Sequence, residues 1–309
     1  MFHPVDEETL LDITTCLANC GYDREVGVMV QLNRRFWNDE QIWDAYKDVR
    51  GGGSAKGCRF LSGRTRLLFT AAFVKLERLR FYLDRGANVD LVFLNSNVSA
   101  LMGASLKGHL GIVRELCEHG ADVNAARTDD GCTALMWASQ NGHLEIVREL
   151  CERGANVNAV KKSDRWRMLS RSGKRRNRYY GHTALLLASQ NGYLGIVREL
   201  CERGANVNAA RPNDGKTSLM WASQNGQLEI VRELCERGAN VNAATTNDGT
   251  SALMSASETG HLEIVRELCE RGANVNAART NGTTALMIAS QEGHQKVVRE
   301  LRERGSLGF

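Results

Sequence analysis

Proline and aromatic residues are scarce in this sequence, which has two prolines among its 309 residues and an aromatic content of 6%. Long apolar runs are also missing. A helix that crosses a bilayer needs about 20 apolar residues in succession, so we expect no membrane span. The segment from Met1 to Cys20 holds four acidic side chains and no uninterrupted apolar stretch. We therefore expect no secretory signal and a cytoplasmic or nuclear location.

The nine cysteines are not arranged as a disulfide framework or as a metal site. Five of them recur at one position of a repeated segment: Cys117, Cys151, Cys201, Cys235 and Cys269. Such periodic placement indicates that the thiols fill an apolar core. Cys16 and Cys20 stand about one helical turn apart, but a metal site would need a second pair of ligands. We expect no bound metal.

Motifs that carry chemistry are lacking as well. The sequence has no phosphate-binding glycine loop, no nucleophile beside a base and no carboxylate pair at catalytic spacing. Histidine follows a repeated glycine in four segments, but Tyr193 and Gln227 take the same position in two others. A catalytic base would not tolerate that exchange. We therefore expect a protein that is not an enzyme and that uses no cofactor.

A repeated segment dominates the chain instead. Its copies align on one leucine, which occurs at Leu67, Leu101, Leu135, Leu185, Leu219, Leu253 and Leu286. Subtraction of these positions gives successive intervals of 34, 34, 50, 34, 34 and 33. A nearly fixed period of this length predicts a stack of units, each too small to bury its apolar face without its neighbours.

One copy, residues 133–159, predicts two short helices and a hairpin-like loop. Thr133 is expected to cap the first helix, and Gly142 is expected to end it in the left-handed conformation. The second helix ends at Gly154 and carries an I-V-x-x-L pattern on its packing side. We expect its charged residues to lie on a solvated outer face: Glu145, Arg148, Glu149 and Glu152.

The recurring letters T-A-L-x-x-A-S, a glycine often followed by histidine, I-V-x-x-L and G-A-N-V-N resemble the ankyrin repeat. The family's T-P-L-H reads T-A-L-M here, as at residues 133–136. The resemblance implies an all-α ankyrin-repeat solenoid of helix-turn-helix and hairpin-loop units. About seven units span residues 64–305, and the outer ones act as caps. We expect a monomeric scaffold that binds a protein partner and no membrane.

Ankyrin domains bind proteins through their hairpin tips and the exposed edge of their first helices, and the resemblance implies the same for the matching positions here. The tip residues are Asp129, Asp130, Cys132, His182, Asn213, Asp214, Lys216, Asn247, Asp248 and Thr250. The edge residues are Gln140, Asn141, Gln190, Asn191, Gln224, Asn225, Glu258, Thr259, Gln291 and Glu292. Because the first three edges are nearly identical, we expect the partner on the tips and the C-terminal half.

The N-terminal part of the chain does not repeat. Residues 1–50 predict a short helical module, a glycine-rich linker follows at 51–63, and residues 306–309 are a tail. The module is similar to an F-box, the motif that docks onto the adaptor subunit of cullin-type ubiquitin ligases. That resemblance implies adaptor docking by Leu10, Leu11, Leu32, Phe36 and Trp43. The alternative is a helical cap that shields the first repeat.

The interval of 50 exceeds the usual 34 by 16 and indicates a basic insertion at residues 160–180. This insertion holds nine basic residues and one acidic residue, although the whole chain has a net charge of +4. Two of its basic clusters are similar to a bipartite nuclear-import signal, which implies an import carrier as partner: Lys161, Lys162, Lys174, Arg175, Arg176 and Arg178. A solvated disordered loop is one alternative. RNA or single-stranded DNA binding is the other.

Overall fold

The computed structural model describes residues 76–84, 86–90, 92, 98–128, 130–162 and 181–305. By its contacts the chain divides into two units, Met1–Gly63 and Arg64–Phe309, and all described residues belong to the second. The features predicted for residues 1–50, 51–63 and 306–309 therefore lie outside the described residues.

Thirteen α-helices make up most of the regular structure of the described residues. In chain order they are α1 (Leu76–Asp84), α2 (Ala100–Lys107), α3 (Leu110–Glu118), α4 (Ala134–Asn141), α5 (Leu144–Glu152), α6 (Ala184–Asn191), α7 (Leu194–Glu202), α8 (Ser218–Gln224), α9 (Leu228–Glu236), α10 (Ala252–Thr259), α11 (Leu262–Glu270), α12 (Ala285–Gln291) and α13 (Gln295–Glu303). Each pair from α2–α3 to α12–α13 is one repeat, and α1 is the second helix of the first repeat. First helices contact first helices of adjoining repeats, and second helices contact second helices. This arrangement confirms the all-α solenoid.

Each first helix that the structure describes begins at a hydroxyl side chain. Thr133 Oγ1 accepts the backbone N–H of Met136 at 3.3 Å, which satisfies one of the donors left open at a helix start. Gly142 follows the last turn of α4 at a φ of 83°, and its N–H donates to the carbonyl of Ala138. Both predicted caps are confirmed. The other first helices begin in the same way at Ser99, Thr183, Thr217, Ser251 and Thr284.

The apolar core runs through the stack without interruption. In the third repeat Leu135, Val147 and Leu150 are at most 1% exposed. Their equivalents in adjoining repeats contact them, so that one cluster of buried residues extends from Leu79 to Leu301. Because this cluster is continuous, each described repeat is stabilised largely by contact with the repeats beside it.

Glu149 departs from the predicted outer face. Its side chain is only 10% exposed, and its two carboxylate oxygens accept hydrogen bonds from two different arginines. Arg114 Nε donates from the preceding repeat at 2.9 Å, and Arg153 Nε donates from the end of the same helix at 3.0 Å. The prediction of a solvated position is wrong for Glu149, because its main partner lies one repeat away and covers it.

The same contact recurs between every two adjoining repeats of the described stack. Six glutamates with side chains 8–11% exposed each accept Nε–H from an arginine of the preceding repeat at 2.6–3.2 Å. The pairs are Arg80–Glu115, Arg114–Glu149, Arg148–Glu199, Arg198–Glu233, Arg232–Glu267 and Arg266–Glu300. We call this series the Arg–Glu ladder. It joins each second helix to the next along the described stack.

A second ladder, made of asparagine side chains, runs through the loops. Asn158 Nδ2 donates to the carbonyl of Gly204 at 3.1 Å, and Asn158 Oδ1 accepts the N–H of Asn206 at 2.7 Å. The same N–H contact links Asn124 to Asn156, Asn208 to Asn240 and Asn242 to Asn274. Because Asn158 and Asn206 lie on opposite sides of the basic insertion, the stack keeps its register across it.

The residue after the mid-repeat glycine packs on the matching glycine of the preceding repeat. The His143 ring lies so close to Gly108 that a Cβ there would come within 2.7 Å of Cε1, and His143 Nε2 is 3.1 Å from the carbonyl oxygen of Leu106. The Tyr193 ring covers Gly142 in the same manner. The position after the mid-repeat glycine therefore requires a flat side chain and not a basic group. This requirement explains why several residue types occupy it.

Replacing Glu233 with Gln tests the Arg–Glu ladder. Glu233 accepts hydrogen bonds from Arg198 and Arg237, both at 2.9 Å, and Gln keeps the shape of the side chain while removing its charge. We expect the free energy of unfolding, measured by urea titration, to fall by about 1–2 kcal/mol, because charged hydrogen bonds are stronger than neutral ones. The matched control is Glu229→Gln, at an exposed pair with Arg232. It is expected to cost only a few tenths of a kcal/mol, and equal costs would contradict the ladder's role.

Acid is expected to weaken the same contact. Burial raises the pKa of Glu233, but the hydrogen bonds from Arg198 and Arg237 outweigh burial and hold the pKa below its usual range. The pair therefore stabilises the fold above the unfolded pKa of about 4.3, and this stabilisation is lost as the pH falls through the native pKa. We expect the difference in unfolding free energy between wild type and Glu233→Gln to shrink below about pH 4. Urea titrations across that range measure it, and a difference independent of pH would show that the charge of Glu233 is not involved.

Candidate protein-binding surface

The hairpin tips and the exposed edges of the first helices lie along one side of each repeat, and together we call them the inner surface. The tips are closed by backbone hydrogen bonds, as where Arg211 N–H donates to Lys216 O at 3.0 Å and Gly215 N–H donates to Arg211 O at 2.8 Å. Adjoining tips are also bonded, since Thr246 N–H donates to Asp214 O at 2.9 Å. The tips therefore form a connected row.

Most of the residues predicted to contact a partner are accessible. The exposed ones are Asn141, Asn191, Asn213, Asn225, Asn247, Glu258, Thr259, Gln291 and Glu292. The half-buried ones are Gln140, Gln190, Asp214, Lys216, Gln224 and Asp248. Asp129 lies outside the described residues. The accessible residues are therefore mainly edge residues and the middle positions of the tips.

Four of the predicted contact residues are buried, and for them the prediction of a surface position is wrong. They are Asp130, Cys132, His182 and Thr250, with 0–7% of their surface exposed. Asp130 turns inward because its carboxylate accepts the N–H of Cys132 at 3.0 Å and pairs with the Lys161 ammonium at 2.8 Å. Residues directly after the turn glycine, such as Cys132, pack against the first helices. These side chains support the surface from below.

The edge asparagines are held in fixed orientations. Asn141 Nδ2 donates to Trp137 O, Asn191 Nδ2 donates to Leu187 O, and both bonds are 2.8 Å long. Asn225 Nδ2 donates instead to Gln190 O of the preceding repeat, also at 2.8 Å. The edge therefore presents a row of amide groups whose positions are set before any partner arrives.

Two half-buried tryptophans on the inner surface were not among the predicted contact residues. The Lys216 ammonium lies 4.5 Å from the Trp221 ring centroid, and the Arg211 guanidinium lies 5.6 Å from it. Lys161 lies 5.9 Å from the ring centroid of Trp137. A basic residue beside the turn glycine, combined with tryptophan in the next first helix, is a sequence signal that could have found the Lys216–Trp221 pair.

Burial has an electrostatic effect on Lys216. Desolvation lowers the pKa of its ammonium below the usual value, and the nearby Asp214 carboxylate acts in the opposite direction. The ammonium donates a hydrogen bond to Gln224 Oε1 at 3.1 Å. Lys216 is thus a partly desolvated cation whose hydrogen-bond acceptor is a neutral amide.

The basic insertion starts from an ordinary tip. Lys161 N–H donates to His182 O at 2.9 Å, and Gly181 N–H donates to Lys161 O at 2.8 Å, as in the tip at Arg211. Lys161 itself is 8% exposed and paired with Asp130. The prediction that Lys161 belongs to the first basic cluster of an import signal is therefore wrong, because Lys161 is buried and closes the tip. Lys162 is exposed, and Lys174, Arg175, Arg176 and Arg178 lie outside the described residues.

Pro212 explains one break in the row of tips. Lys162, Thr246 and Thr280 each donate a backbone N–H to the aspartate carbonyl of the preceding tip. Pro212 occupies the equivalent position in the tip that follows the basic insertion, and proline has no backbone N–H to donate. The insertion is therefore not bonded in this way to the tip that follows it.

Reactive and metal-binding groups are scarce among the described residues. None of the described His, Cys, Asp and Glu side chains form a group of three suited to a metal ion. Burial raises the pKa of the Cys117, Cys151, Cys201 and Cys235 thiols to about 11, which keeps them protonated and poorly nucleophilic. No helix in the described part of the chain has the length and apolar character needed to cross a membrane.

Comparison with known proteins agrees with this geometry. Residues 67–161, 166–245 and 243–307 match a family model described as ankyrin repeats in three copies. The human ASB11 ankyrin repeat domain is 26% identical, with a TM-score of 0.63 over 79% of this chain and 99% of that one. The ankyrin repeat domain of Bcl-3, a member of the IκB family, is 28% identical, with a TM-score of 0.62 over 76% and 97%. No protein of curated function matches this sequence.

Replacing residues 162–180 with Thr-Asn-Asp, the tip of a later repeat, tests whether the insertion belongs to the frame. The Asn158 bonds already hold the register across the insertion. We expect the variant to unfold in one transition and to gain about 1–2 kcal/mol, because a shorter loop costs less closure entropy. Urea titration followed by circular dichroism measures both. A second transition or a large loss of stability would show that the insertion supports the stack.

Proposed function

The chain belongs to the ankyrin-repeat family, whose domains are generally protein–protein interaction modules, and we propose that it binds a protein partner through its inner surface. The partner contacts the accessible tip and edge residues, among them Asn191, Asn213 and Asn225. The chain serves as a scaffold and carries out no catalysis of its own.

The fixed row of edge asparagines is the observation that supports this proposal most strongly. Asn141, Asn191 and Asn225 are exposed, yet each is already held by a hydrogen bond to a backbone carbonyl. A side chain that is ordered before binding loses little conformational entropy when a partner docks. Capped helices beneath the row add rigidity. Such a surface suits recognition of a folded or extended protein segment.

Two predictions of more specific roles stay predictions. Docking to a ubiquitin-ligase adaptor depends on Leu10, Leu11, Leu32, Phe36 and Trp43, all outside the described residues. Binding to an import carrier or a nucleic acid depends mainly on the basic insertion, of which only the first residues are described.

A bulky neutral residue on the edge tests the proposed surface. We expect Asn191→Trp in the full chain to lose the proteins that wild type captures from a cell lysate, because the indole blocks the edge whatever the partner's charge. The matched control is Gln295→Trp, at an exposed position where α13 begins. It should capture the same proteins as wild type, as measured by quantitative mass spectrometry. Unchanged capture by both folded variants would show that the inner surface is not the binding site.

A further inference from the structure

Charge is distributed unevenly along the inner surface. From α2 to α8 its described residues include six cations, Lys107, Arg127, Lys161, Lys162, Arg211 and Lys216, and two carboxylates, Asp130 and Asp214. From the tip before α10 to α12 they include one cation, Arg279, and three carboxylates, Asp248, Glu258 and Glu292. Among the described residues, the middle of the surface thus has an excess of four positive charges, and its C-terminal end has an excess of two negative charges.

The carboxylates of the middle part are already engaged inside the tips. Asp130 accepts the N–H of Cys132 and pairs with Lys161, while Asp214 accepts the N–H of Lys216 and pairs with Arg211. A carboxylate used twice in this way has little capacity left to neutralise further cations.

Of the four cations in excess, Arg127 lies 3.4 Å from the Asp130 carboxylate, and the other three are lysines. Lys107 and Lys162 are exposed, and neither forms an ion pair with any residue that the structure describes. The Lys216 ammonium donates to the neutral Gln224 amide and is partly desolvated. An incoming carboxylate would gain charge-assisted hydrogen bonds here without displacing an existing ion pair.

The same region offers apolar contact area. Trp137 and Trp221 are half-buried, with Lys216 close to the Trp221 ring. Indole rings beside cations can pack against an apolar or aromatic side chain while the cations hold a neighbouring carboxylate. The combination favours a partner segment in which acidic and apolar residues alternate at short range.

We infer that the partner presents an acidic segment with aromatic or apolar residues, which binds over the middle of the inner surface between α2 and α8. This inference rests on the proposed function and names the chemistry of the partner. The opposite charge at Glu258 and Glu292 sets the direction of the segment, because its acidic part is repelled from that end. The charge pattern thus shifts the expected contact from the C-terminal half, which edge variation favoured, to the middle repeats.

Selection from a display library of random linear peptides tests the inference, with the full chain as bait. We expect selected peptides to be enriched in Asp and Glu together with Trp, Phe or Leu. Their affinity should fall roughly tenfold between about 50 and 200 mM salt, because screening weakens exposed charge pairs. Peptides enriched in Lys and Arg, or with no bias in charge, would overturn the inference but leave the proposed function standing. Failure to select any peptide would count against both.

Two variants with equal charge changes locate the site. The triple variant Lys107→Gln, Lys162→Gln and Lys216→Gln is expected to bind the selected peptides about tenfold more weakly, since three modest contacts to carboxylates are lost together. The control, with Lys296, Arg299 and Arg302 of α13 all changed to Gln, should alter affinity less than about twofold. Fluorescence anisotropy measures both. Equal weakening by the two variants would show that only net charge matters.

A parallel titration separates the proposed partner from nucleic acid. The probe is a short, labelled, single-stranded DNA of mixed sequence. We expect it to bind more weakly than the selected peptides and to respond mainly to replacement of residues 162–180. Tighter binding of the DNA, lost in the triple lysine variant, would overturn the assignment to an acidic protein segment.

Discussion

Six of the seven repeats depend on the preceding repeat to neutralise a buried carboxylate. A glutamate such as Glu149, only 10% exposed, would be costly without the guanidinium that the preceding repeat supplies. The apolar cluster favours stacking in general, but this contact has direction, since the arginine always comes from the repeat before. The Arg–Glu ladder thus couples adjoining repeats and fixes their register.

The fixed register explains why the chain tolerates the basic insertion in one of its loops. The Arg148–Glu199 pair forms across the insertion at 3.2 Å, as its equivalents form between ordinary repeats. In the loops, the hydrogen bonds from Asn158 to Gly204 and Asn206 also cross the insertion. Because the insertion begins and ends within a closed tip, the frame is completed without it. The positive charge of the insertion can therefore serve binding without a cost to stacking.

The period of the sequence was enough to predict the helices, the caps and the core, because those depend on contacts within one repeat or on apolar faces that recur. Predictions failed where a partner lies in another repeat. The sequence pattern around Glu149 predicts an exposed position. Arg114, 35 residues earlier in the chain, covers the Glu149 side chain. The prediction for Asp130 failed similarly. An aspartate in a turn is expected to be exposed to solvent, but the ion pair with Lys161 holds this one inward. The Lys161–Trp137 pair was missed for the same reason, since Lys161 lies in the tip of the following repeat.

The direction of the ladder gives the first and last described repeats different requirements. The arginine of each pair comes from the earlier repeat, so a glutamate is matched wherever an arginine precedes it by one repeat. The sequence has Phe81 at the acceptor position of the first described repeat, whereas each of the other six repeats has glutamate. Each of these six glutamates has its arginine donor. In the last described repeat Arg299 holds the donor position and is exposed, and an exposed guanidinium is well solvated. Among the described residues the ladder thus leaves no glutamate of this series without its donor.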